Sequence, residues 1–245
     1  MQQFVLVHGA WHGAWCWARI LPALRAAGYL AHAVTLTGVG DREHLLSPGI
    51  SLATHIDDVV NLIRCEELDE VVLVGHSYGG MVITGVADRL LKQLPGVLQH
   101  LVYVDGTAPR PGESWSSSHA PEVIAERVAA VEASGGLGLP PPDSAVWGLT
   151  GADREWVNRR MTPQPFSLYR EPLNFDGARV DDVPRTFIDC HSPAAPNLDP
   201  MRRRVRSEPG WSVIEIATGH DVMISAPSHL VDALLDCVGW SPPAG

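Results

Sequence analysis

The architecture of this chain is decided by one stretch, Val71-Val72-Leu73-Val74-Gly75-His76-Ser77-Tyr78-Gly79-Gly80-Met81. Its first four residues are apolar without a break, which is typical of a strand covered on both faces of a sheet. The apolar run that begins at Gly79 predicts a helix. Between them lies a G-x-S-x-G pattern centred on Ser77. A strand, a sharp turn and a helix in this order can raise a serine hydroxyl above the end of a sheet.

The setting of Ser77 predicts a nucleophile. Gly75 and Gly79 lack the side chains that would collide in such a tight turn. The amino terminus of the following helix favours negative charge that develops nearby. A glycine-rich turn with an incidental serine is the alternative, and the strand and helix on either side favour the nucleophile.

Outside this stretch, short apolar runs alternate with longer helical patterns. This alternation predicts an α/β fold, with a mostly parallel sheet and helices on both faces. The predicted strands cover residues 3–7, 31–35, 70–74, 99–104, 185–190 and 211–216. The predicted helices cover Trp17–Ala27, Thr54–Cys65, Gly79–Leu94 and Ser228–Val238.

Residues 108–183 break this rhythm. They are rich in Pro, Gly, Ser and Trp, with weak helical patterns near Ala120–Ala133 and Ala152–Arg160. So long a loop without structure is uncommon in a compact domain. We therefore expect a helical cap at 108–183, inserted into a core formed by residues 1–107 and 184–245. A disordered insertion is the alternative, and the aromatic content argues against it.

A serine hydroxyl needs a base to remove its proton during attack. In this type of fold the chain order is serine, acid, histidine, so the base should lie downstream of Ser77. His220 follows the last predicted strand and precedes the last predicted helix, which is where the base is expected. Four other histidines also lie downstream: His100, His119, His191 and His229. His100 at a strand start and His229 inside the last helix fit structural positions, and His119 lies in the cap.

The tetrahedral intermediate of acyl transfer needs two N–H donors aimed at its oxyanion. One is expected from the amide of Tyr78, directly after the nucleophile. The loop after the first strand supplies the other, and we nominate the amide of Ala10. His8 and His12 in the same loop are spaced like a zinc pair, but such a pair belongs on a helix, so we expect no metal.

Three segments together resemble the esterase and hydroxynitrile lyase branch of the α/β-hydrolase superfamily. These segments are Phe4-Val5-Leu6-Val7-His8-Gly9-Ala10-Trp11-His12-Gly13-Ala14-Trp15, Gly75-His76-Ser77-Tyr78-Gly79-Gly80-Met81 and Gly219-His220-Asp221-Val222-Met223. The branch includes plant methylesterases and bacterial carboxylesterases. The resemblance implies an α/β-hydrolase fold with a catalytic triad and an oxyanion hole. It also implies a cofactor-free hydrolase for esters with small or aromatic groups.

The resemblance leaves the acid of the triad open. The branch usually places it in a loop that here reads Cys190-His191-Ser192-Pro193-Ala194-Ala195-Pro196, which contains no carboxylate. Related hydrolases such as haloalkane dehalogenases place it after the strand that follows the elbow helix, where this chain has Asp105. We favour Asp105, and Asp199 and Asp189 remain alternatives.

Within the same branch, lyases use a lysine directly after the catalytic histidine and a threonine in the first oxyanion loop. This chain has Asp221 and Gly9 at those positions, and its only lysine is Lys92. A serine esterase, acting on a carboxylic ester or lactone through an acyl-enzyme, is therefore favoured over a hydroxynitrile lyase or another carbon–carbon lyase. A ligand-binding protein on a hydrolase scaffold is the alternative from another class.

Five aromatic residues could form an apolar wall for the substrate or, with slightly more weight, the cap's own core: Trp11, Trp115, Trp147, Trp156 and Phe166.

Composition limits the partners. The chain has 245 residues and a formal net charge of −10, without a basic run, so a nucleic-acid partner is not expected. No apolar run reaches the length of a membrane span, and the first strand starts near Met1 without a leader pattern. We expect a cytoplasmic enzyme that acts on a small-molecule ester, with a homodimer left open.

The four cysteines are not arranged as metal or disulfide motifs: Cys16, Cys65, Cys190 and Cys237.

Overall fold

The computed structural model describes residues 2–239, and its centre is a six-stranded sheet. Eight strands occur in chain order: β1 (Gln3–Val7), β2 (Leu30–Val34), β3 (Val71–His76), β4 (Leu98–Val104), β5 (Gly138–Leu139), β6 (Gln164–Pro165), β7 (Arg185–Cys190) and β8 (Trp211–Ile216). The main sheet has the order β2-β1-β3-β4-β7-β8, and all of its neighbouring pairs are parallel. These are the six strands expected from the sequence, so the prediction of a parallel α/β sheet is confirmed.

The central strand, β3, is buried along its whole length. Val71 and Leu73 belong to the apolar cluster on one face of the sheet, and Val72 and Val74 belong to the cluster on the other. This alternation follows from the two-residue period of a strand, and it explains why the sequence shows an unbroken apolar run. The strand extends beyond the predicted residue 74 to His76, so it ends directly before Ser77.

Nine α-helices surround the sheet within the described residues: α1 (Leu21–Ala26), α2 (Leu52–Cys65), α3 (Gly79–Gln93), α4 (Pro121–Ala133), α5 (Gly151–Asn158), α6 (Gly177–Asp181), α7 (Asp199–Ser207), α8 (Val222–Ser225) and α9 (Pro227–Asp236). Helices α2 and α3 cover one face, while α1, α8 and α9 contribute to the cluster on the other. The predicted helix Trp17–Ala27 is shorter than expected, because a 3₁₀ turn at Ala14–Trp17 precedes α1. None of the helices described in residues 2–239 is long and apolar enough to cross a membrane.

Helix α2 shows how local sequence sets these elements. Ser51 precedes it, and its hydroxyl accepts from the Thr54 amide while the Thr54 hydroxyl accepts from the Ser51 amide. This capping box satisfies two amide donors that the first helical turn leaves unpaired. The buried residues follow the helical period and face the sheet: Leu52, Ile56, Val59, Val60 and Ile63.

Between β4 and β7 the chain leaves the main sheet. It forms α4, α5, α6 and a two-stranded antiparallel ribbon in which β5 pairs with β6. The helices begin and end close to the predicted patterns near Ala120–Ala133 and Ala152–Arg160. The division into a core and a cap subdomain at 108–183 stays a prediction. Residue 1 and residues 240–245 of the predicted core lie outside the described residues.

Candidate active site

Backbone conformation marks the place where the predicted site residues meet. Four non-glycine residues in the described chain have positive φ angles: Trp11 (66°), Glu67 (51°), Ser77 (52°) and Asp105 (41°). Ser77 directly follows β3 and Asp105 directly follows β4, while Trp11 lies in the loop after β1. Such conformations are strained for residues with a side chain, and they concentrate at functional sites. Three of the four strained positions therefore lie at the carboxyl ends of adjacent strands.

Close packing explains the small residues around Ser77. A Cβ atom at Gly75 would lie 2.7 Å from the Gly79 carbonyl oxygen. One at Gly9 would lie 2.9 Å from the Ser77 Cβ atom, so the loop after β1 passes directly against the nucleophile candidate. Substitution at either glycine requires the backbone or its neighbours to move.

His220 lies in the loop between β8 and α8, and its ring contacts Asp105. The His220 Nδ1 donates to Asp105 Oδ2 at 2.6 Å, and the Asp105 side chain is fully buried. On the other side, the His76 Nε2 donates to the His220 backbone oxygen at 3.0 Å, and the two histidine rings lie 4.7 Å apart. Since His76 immediately precedes Ser77, the structure brings Ser77, His220 and Asp105 to one place.

The two alternative acids are engaged elsewhere. Asp189 accepts from the guanidinium of Arg202 at 2.6 Å and from Arg206 at 2.5 Å. The half-exposed Asp199 accepts from Arg202 at 3.1 Å. Among the three acids considered from the sequence, Asp105 is the one that binds the His220 ring.

The two amides nominated as oxyanion donors flank Ser77. Tyr78 is the residue from which α3 begins, and its ring is buried. Ala10 is buried in the loop held against Ser77 by Gly9. Within residues 2–239, the backbone N–H groups of Ala10 and Tyr78 donate to no protein acceptor. An oxyanion hole requires N–H groups without internal partners beside the nucleophile.

Comparison with known proteins identifies the family of the chain. Residues 4–234 match the model of the alpha/beta hydrolase family. The chain belongs to this family.

Individual relatives of this hydrolase cover nearly its whole length. The carbendazim hydrolyzing esterase of Nocardioides sp. (strain SG-4G) is 41% identical over 248 residues, which cover 96% of this chain and 98% of the relative. Methylesterase 2 of Arabidopsis thaliana is 29% identical over 259 residues, covering 96% and 95%. An extracellular alpha/beta-hydrolase from a Paenibacillus species superposes with a TM-score of 0.84 at 21% identity, covering 97% and 99%. At that identity the last comparison supports the fold alone.

The electrostatics of the hydrolase distinguish His220 from its other buried histidines. Burial by itself lowers the pKa of His220, but the hydrogen bond and negative charge of Asp105 outweigh burial, and the pKa lies above its ordinary value of 6.5. Burial instead lowers the pKa of His8 to about 3 and that of His55 to about 4. Burial together with the positive charge of Arg127 lowers the pKa of His119 to about 4. Of these four histidines, only His220 pairs with a carboxylate that raises its basicity.

Sequence reasoning missed Arg202. Its guanidinium donates to Asp105 Oδ1 at 2.8 Å, to the oxygen on the side of the carboxylate away from His220. The side chain is nearly buried and also binds Asp189 and Asp199. No local pattern indicates this role, because Arg202 and Asp105 lie far apart in the chain and meet only when α7 packs beside β8 in the folded protein.

A second charged contact lies behind the loop after β1. The fully buried Asp221, which follows His220, has a carboxylate oxygen 3.4 Å from His12 Nε2. The other ring nitrogen of His12 donates to the Ala10 carbonyl at 2.7 Å. Burial raises the pKa of Asp221, and the nearby His12 and His76 lower it by more, so the net pKa lies below its ordinary value. His12 therefore contacts both the oxyanion loop and the residue next to His220.

The aromatic residues of the predicted wall divide into two groups. Trp11 contacts Trp115 and Trp147, with ring centroids 5.8 Å and 5.9 Å apart, and Trp147 lies 6.0 Å from the His220 ring. Trp115 also contacts the Tyr78 ring at 5.2 Å. The remaining two pack elsewhere: Trp156 against Trp15, and Phe166 against Tyr169. Part of the set therefore borders the site, while Phe166 packs within the insertion and Trp156 packs the insertion against the core.

A cavity of about 670 Å³ opens beside the site, between the insertion and α7. Thr107, His119 and Met201 contribute to its lining. The Thr107 amide donates to the Ser77 carbonyl at 3.0 Å, which places the cavity next to the nucleophile candidate. Ser77, Ala10 and His220 do not line it, so it is a neighbour of the candidate site rather than the site itself.

Proposed function

We propose that this protein is a serine esterase that cleaves carboxylic esters or lactones of small or aromatic apolar substrates through an acyl-enzyme. The observation that carries the proposal is the buried hydrogen bond of 2.6 Å between His220 and Asp105. It lies beside a serine held in the strained conformation of a strand-to-helix turn. A serine, a histidine and a carboxylate in this relation are the components of a catalytic triad.

Each group has one chemical role. Ser77 Oγ attacks the ester carbonyl carbon while His220 Nε2 takes the hydroxyl proton. The carbonyl oxygen becomes negative and is held by the amides of Ala10 and Tyr78. Collapse of this intermediate breaks the bond to the alcohol oxygen, which leaves with the proton from His220. Water then attacks the acyl-enzyme, again losing a proton to His220, and the acid is released as Ser77 is restored.

Asp105 selects the useful tautomer of His220. Its hydrogen bond to Nδ1 keeps the proton on that nitrogen and leaves Nε2 to accept the proton of Ser77. During the reaction His220 becomes an imidazolium, and the adjacent carboxylate stabilises that positive charge. Arg202 neutralises part of the Asp105 charge in the resting state, so that the fully buried carboxylate does not stand uncompensated.

The relatives support the class of substrate. The carbendazim hydrolyzing esterase and methylesterase 2 carry ester hydrolysis in their names. Trp11 and Trp147 lie close to His220 and Ala10 and offer flat apolar surfaces to an aromatic group. We therefore place small aromatic esters first among the substrates to be assayed.

Cyanohydrin cleavage is less well supported. The only lysine, Lys92, lies half-exposed near the end of α3 and binds Asp88 at 2.6 Å. No lysine is therefore available at the site to stabilise cyanide. Release of hydrogen cyanide from an aromatic cyanohydrin, at a rate comparable to ester hydrolysis, would favour the lyase.

The deciding experiment follows release of the alcohol from an activated aryl ester. The wild-type protein should show a burst that matches the enzyme concentration, because an activated ester releases its alcohol in acylation faster than water removes the acyl group from the serine. Ser77→Ala should abolish both the burst and labelling by a fluorophosphonate probe. Ser228→Ala, which alters an exposed serine, is the matched control and should retain both. Unchanged turnover in Ser77→Ala contradicts the proposal, and a wild-type protein that binds esters without turnover or labelling favours a ligand-binding protein.

The proposed enzyme requires no metal or organic cofactor, since the base, the acid and both oxyanion donors come from the chain itself. We place it in the cytoplasm and assign it no nucleic-acid or membrane partner. The four cysteines are free in the structure, and Cys65 is exposed.

A further inference from the structure

The loop that carries the Ala10 amide is held in place by the insertion. Trp11, the next residue, has a φ of 66°, a conformation that is strained for a residue with a side chain and persists only where its surroundings impose it. Trp11 has neither the small size of glycine nor the local hydrogen bonding of asparagine that would ease this conformation. Some other part of the molecule must therefore hold it.

Three hydrogen bonds from the ribbon β5–β6 and its flank supply that restraint. The Trp11 amide donates to Gln164 Oε1 at 3.0 Å, and the indole N–H donates to the Leu139 carbonyl at 2.9 Å. The Trp11 carbonyl accepts from the Thr162 amide at 3.0 Å. Leu139 and Gln164 are paired across the ribbon. Leu139 therefore holds the Trp11 side chain, and its partner Gln164 holds the Trp11 backbone.

Gln164 acts on one particular peptide group. The Trp11 N–H belongs to the same peptide unit as the Ala10 carbonyl, and that carbonyl accepts from His12 at 2.7 Å. The unit is thus fixed at its N–H by the insertion and at its C=O by the core. Fixing it restricts rotation about the Ala10 backbone, and therefore the direction of the Ala10 N–H.

The stability of the fold does not explain why Gln164 is buried. Its side chain is fully buried, and its Nε2 finds no acceptor in the described part of the chain. An unsatisfied buried donor destabilises the folded protein, and an apolar residue of similar shape avoids that destabilisation. A buried amide that keeps one useful hydrogen bond and leaves another unmade points to a positional role.

We propose that Gln164 is a positioning residue of the ester hydrolysis, holding the Ala10–Trp11 peptide so that the Ala10 amide points at the oxyanion. This inference rests on the proposed function. Gln164 does not touch the reacting atoms and acts through the Trp11 amide. Because the oxyanion exists only along the reaction path, misdirecting its donor weakens binding of the transition state more than binding of the ester.

The test compares Gln164→Met, which keeps the shape and removes the acceptor, with Ser134→Ala. The Ser134 hydroxyl donates to the Gly138 carbonyl in β5, so this control disturbs the same ribbon without touching Trp11. Gln164→Met should lower kcat by about tenfold to hundredfold with KM changed less than about threefold. Affinity for an aryl trifluoromethyl ketone, which forms a tetrahedral adduct with serine, should fall by a similar factor.

A conservative variant separates positioning from simple packing. Gln164→Glu retains an oxygen acceptor, and it should recover most of the trifluoromethyl ketone affinity lost in Gln164→Met. Should Gln164→Met fail to fold, Gln164→Asn takes its place. The asparagine stays polar, but its shorter side chain moves the acceptor oxygen away from the Trp11 amide. It is expected to show the same fall in kcat and inhibitor affinity.

Losses in the Gln164 variants no greater than in Ser134→Ala, or confined to KM, overturn the inference. Retention of turnover in Ser77→Ala overturns the proposed function instead, so the two failures are distinguishable.

Discussion

The two halves of the candidate site are held by different parts of the molecule. Ser77, Asp105 and His220, the proton-transfer half, follow β3, β4 and β8 of the main sheet. Their bracing cation, Arg202, comes from α7, which also lies outside the insertion. The Ala10–Trp11 loop, the oxyanion half, follows β1 but is restrained by the ribbon between α4 and α6.

The forces differ as well. Buried charges hold the proton-transfer half, with Arg202 pairing the fully buried Asp105 at 2.8 Å. Neutral hydrogen bonds of 2.9–3.0 Å restrain the oxyanion half from the insertion. Removing one member of a buried ion pair leaves an uncompensated charge, whereas removing one neutral bond mainly loosens geometry. The effects of substitutions in the two halves should therefore differ in size. They should also differ in kind, because one half depends on buried charge and the other on geometry.

The largest effect is expected from Asp105→Asn. An amide in place of the carboxylate favours the wrong tautomer of His220 and does not stabilise the imidazolium, so kcat/KM should fall by about 10⁴-fold. Asp199→Asn, which alters a half-exposed alternative acid, should change kcat/KM by less than about fivefold. Steady-state kinetics on an activated ester measures both. A greater loss in Asp199→Asn than in Asp105→Asn would reverse the assignment of the acid.

Arg202→Met should act on stability before it acts on rate. It leaves the buried carboxylates of Asp105 and Asp189 without their shared cation, and we expect the free energy of unfolding to fall by about 3–5 kcal/mol. Arg203→Met, at the next and exposed position of α7, should change it by less than about 0.5 kcal/mol. Urea unfolding followed by fluorescence distinguishes these values. Equal stability of the two variants would show that the network does not brace the site.

The pH dependence should single out the proton-transfer half. In the proposed mechanism ester hydrolysis requires neutral His220, and its pKa is raised above 6.5 by Asp105. Activity should therefore be complete well above that pKa and fall tenfold per pH unit below it, with a midpoint above 6.5 in kcat/KM. His119→Gln should keep the same midpoint, because burial and Arg127 lower the pKa of His119 to about 4. A midpoint below 6.5 would argue against the Asp105–His220 pair as the titrating group.

The smallest effect is expected outside both halves. Lys92→Gln removes an exposed pair with Asp88 on α3, a type of contact worth about 0.3–0.5 kcal/mol. Ester hydrolysis should be unchanged within experimental error, as measured by kcat/KM. A substantial loss of activity would return a lysine-dependent reaction to consideration.

Local sequence signals were sufficient to nominate the serine and the histidine of the proton-transfer half. They were not sufficient to choose its acid. The place of Ser77 in a strand-to-helix turn could be predicted because the residues that shape the turn are its immediate neighbours. His220 could be predicted because the chain order of such sites is conserved by topology. The acid remained open among Asp105, Asp189 and Asp199, since each follows or neighbours a strand end and none differs by local pattern.

The oxyanion half was predicted in part. Ala10 and Tyr78 follow from their places after β1 and in the turn, but nothing near Gln164 indicates a partner in the loop of Trp11. The two residues are distant in sequence, and their hydrogen bond exists only because the ribbon packs against the core. The positions of the aromatic residues could not be predicted either. Composition does not show that Trp147 borders His220 while Trp156 packs on Trp15.

The amino-acid sequence alone determined the alternation of strands and helices, the turn at Ser77 and the order of the candidate site residues, because periodicity and turn chemistry act over a few neighbouring residues. Tertiary structure decided which carboxylate pairs with His220, which arginine neutralises it and which part of the insertion restrains the oxyanion loop. These contacts join residues far apart in the chain, and they depend on burial and on distances that only the packed fold sets.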